Sequence, residues 1–148
     1  MASFRYSFQR VVDLKSSEKT QAEWMLSSAI GVLVEEELSL EQLQRKQRDW
    51  EDKLLNASQT TVPLSELQVI QQYLDYLVSC IASKVKDVLH AQKAVDQGRL
   101  KLSDRMKDEK MWLKAKDHAR DRFQYAVQLK EQNELDEMAS VRFMIPTP

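Results

Sequence analysis

Hydrophobic positions recur every three or four residues over most of the chain, and that spacing predicts helices rather than strands. Stepping by sevens from Leu67 gives Leu67, Leu74, Ile81, Val88, Val95, Leu102, Glu109, Lys116 and Phe123. A companion series three residues later reads Ile70, Leu77, Lys84, Ala91, Gly98, Arg105, Trp112, Ala119 and Ala126. Thirteen of these 18 positions are apolar, with no change of phase over 60 residues. A heptad seam of this kind marks a coiled coil. At 1.5 Å rise per residue it runs roughly 90 Å. So long a stripe needs a partner helix of similar length to cover it.

An earlier stretch supplies that partner. Leu26, Leu33, Leu40, Gln47 and Leu54 lie seven apart, and Ala29, Glu36, Leu43 and Trp50 follow the first four by three. Seven of the nine are apolar. Before Leu26 a phase slip is expected, with Phe8, Val11 and Val12 in another register. Between the two seams lies Asn56-Ala57-Ser58-Gln59-Thr60-Thr61-Val62-Pro63, small, polar and closed by a residue without a backbone donor. Ser65 with Gln68 then fits a capping box. The expected organisation is helix 1 over about 8–56, a turn over about 57–63 and helix 2 over about 64–140. A single hairpin thus spans 1–141, and 142–148 is expected as a disordered tail. The fold class is all-α: two long helices forming an antiparallel coiled-coil hairpin, helix 2 longer than helix 1.

The unequal lengths matter. Counting back from a turn near Thr60 sets Phe4 opposite residues near 116 and leaves about 20 residues of helix 2 without a partner. That overhang carries Phe123, Tyr125, Val127, Leu129, Leu135 and Met138. An unpaired helix showing such side chains is marginal in water, so it frays, folds back, pairs with another copy or docks another protein. Within the seam, Gly98, Arg105, Glu109 and Lys116 mark a weak region. It reads as a loosely packed segment with snorkelling stems, or as charges that set register or invite a partner. The run Glu35-Glu36-Glu37 reads as a solvated face, and Trp24, Trp50 and Trp112 as core packing.

Composition narrows the classes further. Two glycines and three prolines in 148 residues are too few for the turns of a β-sandwich or a doubly wound α/β fold. Lys and Arg total 22 against 23 Asp and Glu, so the basic excess of a dedicated nucleic-acid binder is missing and no nucleic-acid partner is expected. The single cysteine, Cys80, cannot form an internal disulfide, which suits a reducing compartment. No 18-residue apolar run and no signal-like start occur, so a cytosolic protein is expected. Candidate chemistry is sparse. The two glycines stand 67 residues apart and build no phosphate loop. His90 and His118 lack a histidine partner at i+4 and read as ordinary polar helix residues. Cys80 has no adjacent histidine and reads as a packing residue, and Glu134 with Asp136 has no concave pocket. No catalytic residue, metal site or cofactor is expected. Charge is patterned instead. Residues 99–122 hold nine Lys or Arg against five acids, and 130–137 hold four acids against one base. Such a collar and acidic end can steer a partner, or can simply lace an exposed helix with i,i+4 pairs.

Three segments together resemble the flagellar export protein FliJ family. They are Phe4-Arg5-Tyr6-Ser7-Phe8-Gln9-Arg10-Val11-Val12-Asp13-Leu14-Lys15 with Glu18 and Ala22, then Gln71-Gln72-Tyr73-Leu74-Asp75-Tyr76-Leu77, then Glu131-Gln132-Asn133-Glu134-Leu135-Asp136-Glu137-Met138-Ala139. The resemblance implies an antiparallel coiled coil similar to the central stalk of rotary ATPases. The end bearing both termini enters a hexameric flagellar export ATPase ring, and the stalk links that ring to the cytoplasmic region of the membrane-embedded export gate. Family members also bind export chaperones. By position, Tyr73, Leu77, Cys80 and Lys84 fall on the gate-associated stretch, with Lys84 standing where enteric relatives carry His. Arg10, Arg120, Arg122, Gln132, Glu134 and Asp136, polar residues near the termini, are the candidate ring contacts. The implied protein is not an enzyme. It is monomeric alone, cytoplasmic, and peripherally associated with the inner face of the membrane at the flagellar base. A self-assembling structural coiled coil and a stalk for another rotary or virulence-secretion ATPase remain the competing readings.

Overall fold

A computed structural model describes residues 3–144, with side chains through Phe143. Among these residues there are two helices, α1 (Gln9–Ser58, 50 residues) and α2 (Leu64–Met144, 81 residues), and no strand. The chain is an all-α antiparallel hairpin with the second helix the longer, as the two seams predict.

Local chemistry sets the helix ends. At the start of α1 the Tyr6 carbonyl accepts from Gln9 N (3.1 Å), and the Phe8 carbonyl accepts from Val11 N (3.0 Å) and Val12 N (3.2 Å). At its other end no glycine caps the helix. The Ser58 hydroxyl donates to the Leu55 carbonyl at 2.7 Å, and Thr60 Oγ1 lies 3.4 and 3.3 Å from the carbonyls of Asn56 and Ala57. These hydroxyls meet carbonyls that the last turn leaves without helical partners. α2 begins directly after Pro63, whose carbonyl accepts from Glu66 N at 3.1 Å. Ser65 therefore sits inside the first turn and is not the cap that the sequence pattern suggests. Glu66 in that turn complements the positive helix end. At the far end α2 runs to Met144, so Arg142, Phe143 and Met144 of the expected tail are helical. The remainder of that tail, 145–148, lies outside the described residues.

The chain forms two compact units, residues 21–103 and residues 1–20 with 104–148. In the unit of residues 21–103, Ala22, Leu74, Leu77, Ala91 and Val95 are buried. All nine α1 seam positions from Leu26 to Leu54 are half-buried, and the α2 seam from Leu67 to Gly98 is buried or half-buried throughout. Three cross-helix pairs display the antiparallel sense: Leu26 with Gly98, Glu36 with Lys84, and Trp50 with Tyr73. Gly98 is not a loose point. A Cβ built there meets Leu26 Cδ1 at 3.3 Å, so the missing side chain makes room for leucine. Nor is the glutamate run wholly solvated: Glu35 and Glu37 are exposed, but Glu36 is half-buried and binds Lys84 at 2.9 Å. The two charged occupants of facing seams thus satisfy each other. Trp50 packs on Tyr73 with ring centroids 4.5 Å apart, and the Lys53 ammonium lies 4.3 Å from the Trp50 ring centre. Trp24 departs from the core expectation and is 71% exposed.

In the other unit, Val12 alone among the described residues is buried. Lys15 and Lys19 are half-buried. These three positions lie whole heptads before Leu26 and Ala29, so the expected phase slip is absent. The register holds and the residue type changes, from leucine to lysine.

Candidate partner-binding surfaces

The lysines on α1 meet acids on α2 within the unit of residues 1–20 and 104–148. Lys19 Nζ is 3.0 Å from Glu109 Oε1, Arg105 Nη1 is 3.0 Å from Glu18 Oε2, and Lys15 Nζ lies 3.5 Å from Glu18 Oε2 and 4.0 Å from Asp108 Oδ2. Part of the basic stretch seen in the sequence is thus matched across the hairpin. The Ser16 hydroxyl and the Lys19 ammonium hold the Glu109 carboxyl below its ordinary pKa, against the opposing effect of burial. Sequence reasoning flagged Arg105 and Glu109 as seam defects and missed their partners. For Glu109 the available signal was Lys19 at a seam position of the other helix, whereas Glu18, the partner of Arg105, lies beside that seam.

Next to this layer, residues 3–8 lie ahead of the first turn of α1 and carry three aromatic rings. Phe4 packs against Phe123 (centroids 5.5 Å apart), Phe8 against Trp112 (6.0 Å) and Tyr6 against Phe8 (5.8 Å). The Arg120 guanidinium sits 5.7 Å from the Phe4 ring centre, a cation–π arrangement. Beyond Val127 every described side chain of α2 is exposed, through Phe143 at 91%. An unpartnered segment is present as unbroken helix but begins later than the length difference suggests: Phe123, expected in the overhang, is half-buried against Phe4, and Val127 is half-buried as well.

The six candidate ring contacts, Arg10, Arg120, Arg122, Gln132, Glu134 and Asp136, are all exposed. They do not form one cluster. By helical periodicity Arg122, Gln132 and Asp136 share one side of α2, and Arg120 and Glu134 share another. Gln132 donates to Asp136 at 3.3 Å. Glu134 borders a shallow groove with Met138, Val141 and Arg142.

The four candidate gate contacts, Tyr73, Leu77, Cys80 and Lys84, all point toward the α1 side in the unit of residues 21–103. Leu77 is 2% exposed, so its surface is consumed by the hairpin. Tyr73 is half-buried against Trp50. Cys80 and Lys84 share a groove with Ser39, Leu43 and Asp87. Within it Lys84 binds Glu36 at 2.9 Å and Asp87 at 3.7 Å, contacts that raise its pKa, Glu36 foremost. Cys80 is half-buried, and its hydrogen bond with Tyr76 raises the phenol's pKa. Among the described residues no cluster of His, Cys, Asp and Glu is arranged to hold a metal ion, and no helix is long and apolar enough to cross a membrane.

These features define a two-helix protein whose specialised surfaces are helix faces and one bare helix end. The chain belongs to the family of flagellar FliJ proteins, which matches residues 4–146. Among solved structures it is similar to CT670 of Chlamydia trachomatis, assigned as a homolog of YscO. The TM-score is 0.63 with 16% sequence identity, over 95% of this chain and 96% of that one. At that identity the likeness concerns the fold. A comparison with curated proteins finds no match.

Proposed function

We propose that the chain is a non-catalytic stalk of the bacterial flagellar type III export apparatus. In this reading the end built from residues 3–20 and 104–143 enters the centre of the hexameric export ATPase. The groove around Cys80 and Lys84 faces the cytoplasmic region of the export gate, and export chaperones bind elsewhere on the helices. The protein works in the cytoplasm, at the inner face of the membrane, and is monomeric alone. Membership of the FliJ family supports this reading. The observation that carries it is the run of exposed α2 side chains beyond Val127. A ring that encloses a stalk needs an end not already covered by its own hairpin partner. Exposed charges there favour contact without the desolvation that would lock it.

The direct experiment measures ATP hydrolysis by the flagellar export ATPase with and without the chain. Stimulation and co-migration are expected. The double variant Arg122→Glu/Asp136→Lys should lose binding while retaining its helical circular dichroism, because both residues are exposed. Wild-type binding by that variant would reject the ring assignment, and no effect of the native chain would reject the function. A stalk for a different secretion ATPase is the second reading, supported by the fold shared with a YscO homolog. Parallel assays with flagellar and virulence-type ATPases separate the two.

A further inference from the structure

The hairpin uses one face of α1, and a second heptad seam lies on its back. Trp24, Ser27, Gly31, Val34 and Leu38 are spaced three and four residues apart, the repeat of a coiled-coil contact line. All five are exposed, Trp24 at 71%, Val34 at 56% and Leu38 at 54%. None belongs to the series headed by Leu26 and Ala29 that faces α2. Gly31 stands at the middle of this line. A Cβ there meets nothing within 4 Å, so no contact inside the chain calls for glycine. A helix-interior glycine costs about 1 kcal/mol relative to alanine. At a contact line it permits close approach of another backbone.

The flanks of the line have one sign. Taking Trp24, Gly31 and Leu38 as the first core position of each heptad, Glu23 and Glu37 precede them and Glu35 follows Val34, which are the positions where coiled coils select partners by charge. Residues 20–44 contain five glutamates and no lysine or arginine. Only Glu36 of the five is drawn into the α2 seam.

We propose that this back face of α1 docks an amphipathic helix of a partner protein, apolar along its core line and lysine- or arginine-rich on its flanks. A second copy of the same face is disfavoured because both faces are acid-flanked: antiparallel pairing sets Glu23 opposite Glu37 of the other copy, and residues 20–44 hold no base to meet an acid. The proposal uses only residues of the unit 21–103 and stands whether or not the other unit enters a ATPase ring. It adds a third helix to the hairpin on the side away from α2.

The test titrates the full chain with a synthetic peptide of roughly three heptads carrying Leu at the core positions and Lys on both flanks, whose own charge opposes self-pairing. A matched peptide with Glu on the flanks is the control. Calorimetry should detect the Lys peptide and not the Glu peptide. Leu38→Glu or Trp24→Glu should weaken binding at least tenfold with unchanged circular dichroism, since both side chains are exposed. The triple variant Glu23→Lys/Glu35→Lys/Glu37→Lys should reverse the preference and take the Glu peptide. No binding of the Lys peptide, or binding indifferent to Leu38→Glu, overturns the proposal. So does a native dimer in light scattering that Leu38→Glu dissociates, because the occupant is then a second copy.

Discussion

At the scale of single residues, the two glycines and one glutamate carry the sharpest predictions. Gly31 has open space around its absent Cβ, whereas a Cβ at Gly98 meets Leu26 Cδ1 at 3.3 Å. Gly31→Ala should therefore stabilise the isolated chain by about 0.5–1 kcal/mol, from lower unfolded-state entropy and higher helix propensity. Gly98→Ala should gain less, because leucine must shift to admit the methyl group. Thermal melts of the two variants side by side check the order. Glu109 gives a pH dependence. Its carboxyl titrates below its ordinary value of 4.5, so the folded state holds its proton less tightly than the unfolded chain. The stability it contributes is present above that ordinary value and is lost as pH falls through the lower folded value. Glu109→Gln should cost about 1 kcal/mol near neutrality and shrink that acid-driven loss, as urea titrations at pH 7 and pH 3.5 would reveal.

At the scale of the element, heptad position decides what a side chain does. Leu77 is 2% exposed and Leu135 is 61% exposed, though both are leucines in the same helix. Leu77→Ala should lower stability by about 2–5 kcal/mol. Leu135→Ala should stay within about 0.5 kcal/mol of the native chain, measured by the same urea titration. Leu77 is thus a poor probe of the proposed gate contact, since its loss loosens the hairpin first, and Cys80 and Lys84 are better ones. The α2 seam was fully legible in the sequence: of the 18 positions named, only Ala126 is exposed. Helix ends were less legible. The pattern at Ser65 and Gln68 has the right residues for a cap, but the helix starts at Leu64 behind Pro63, whose ring already fixes the backbone angle. The register before Leu26 is hard to read from sequence because lysines at Lys15 and Lys19 occupy a line that apolar residues mark elsewhere.

At the scale of the whole molecule, the hairpin and its bare α2 segment followed from helix lengths alone, because a turn near residue 60 leaves the second helix too long for the first. The pairings of the charged residues did not follow. Periodicity tells which face a residue occupies, and only the register across the hairpin tells whom it meets: Glu36 meets Lys84, and Lys19 meets Glu109. The back line of α1 is hard to see in the sequence for a related reason. One helix carries two heptad lines, and the one rich in leucine hid the one containing tryptophan and glycine. Removing residues 128–148 should leave the melting temperature within about 2 °C, since the described side chains beyond Val127 are exposed, while abolishing association with the export ATPase. The division of buried residues also has a kinetic meaning. Five of the six buried side chains among the described residues lie in the unit of residues 21–103, and Val12 alone lies in the other. Backbone amides around Leu74, Leu77 and Val95 should then exchange with deuterium only on global unfolding, whereas those of Val12 to Lys19 and Arg105 to Trp112 exchange through smaller openings. The half held together by salt bridges and rings can breathe while the leucine-seamed half stays shut, so a partner gripping the terminal end would meet a surface able to adjust its spacing without dismantling the hairpin.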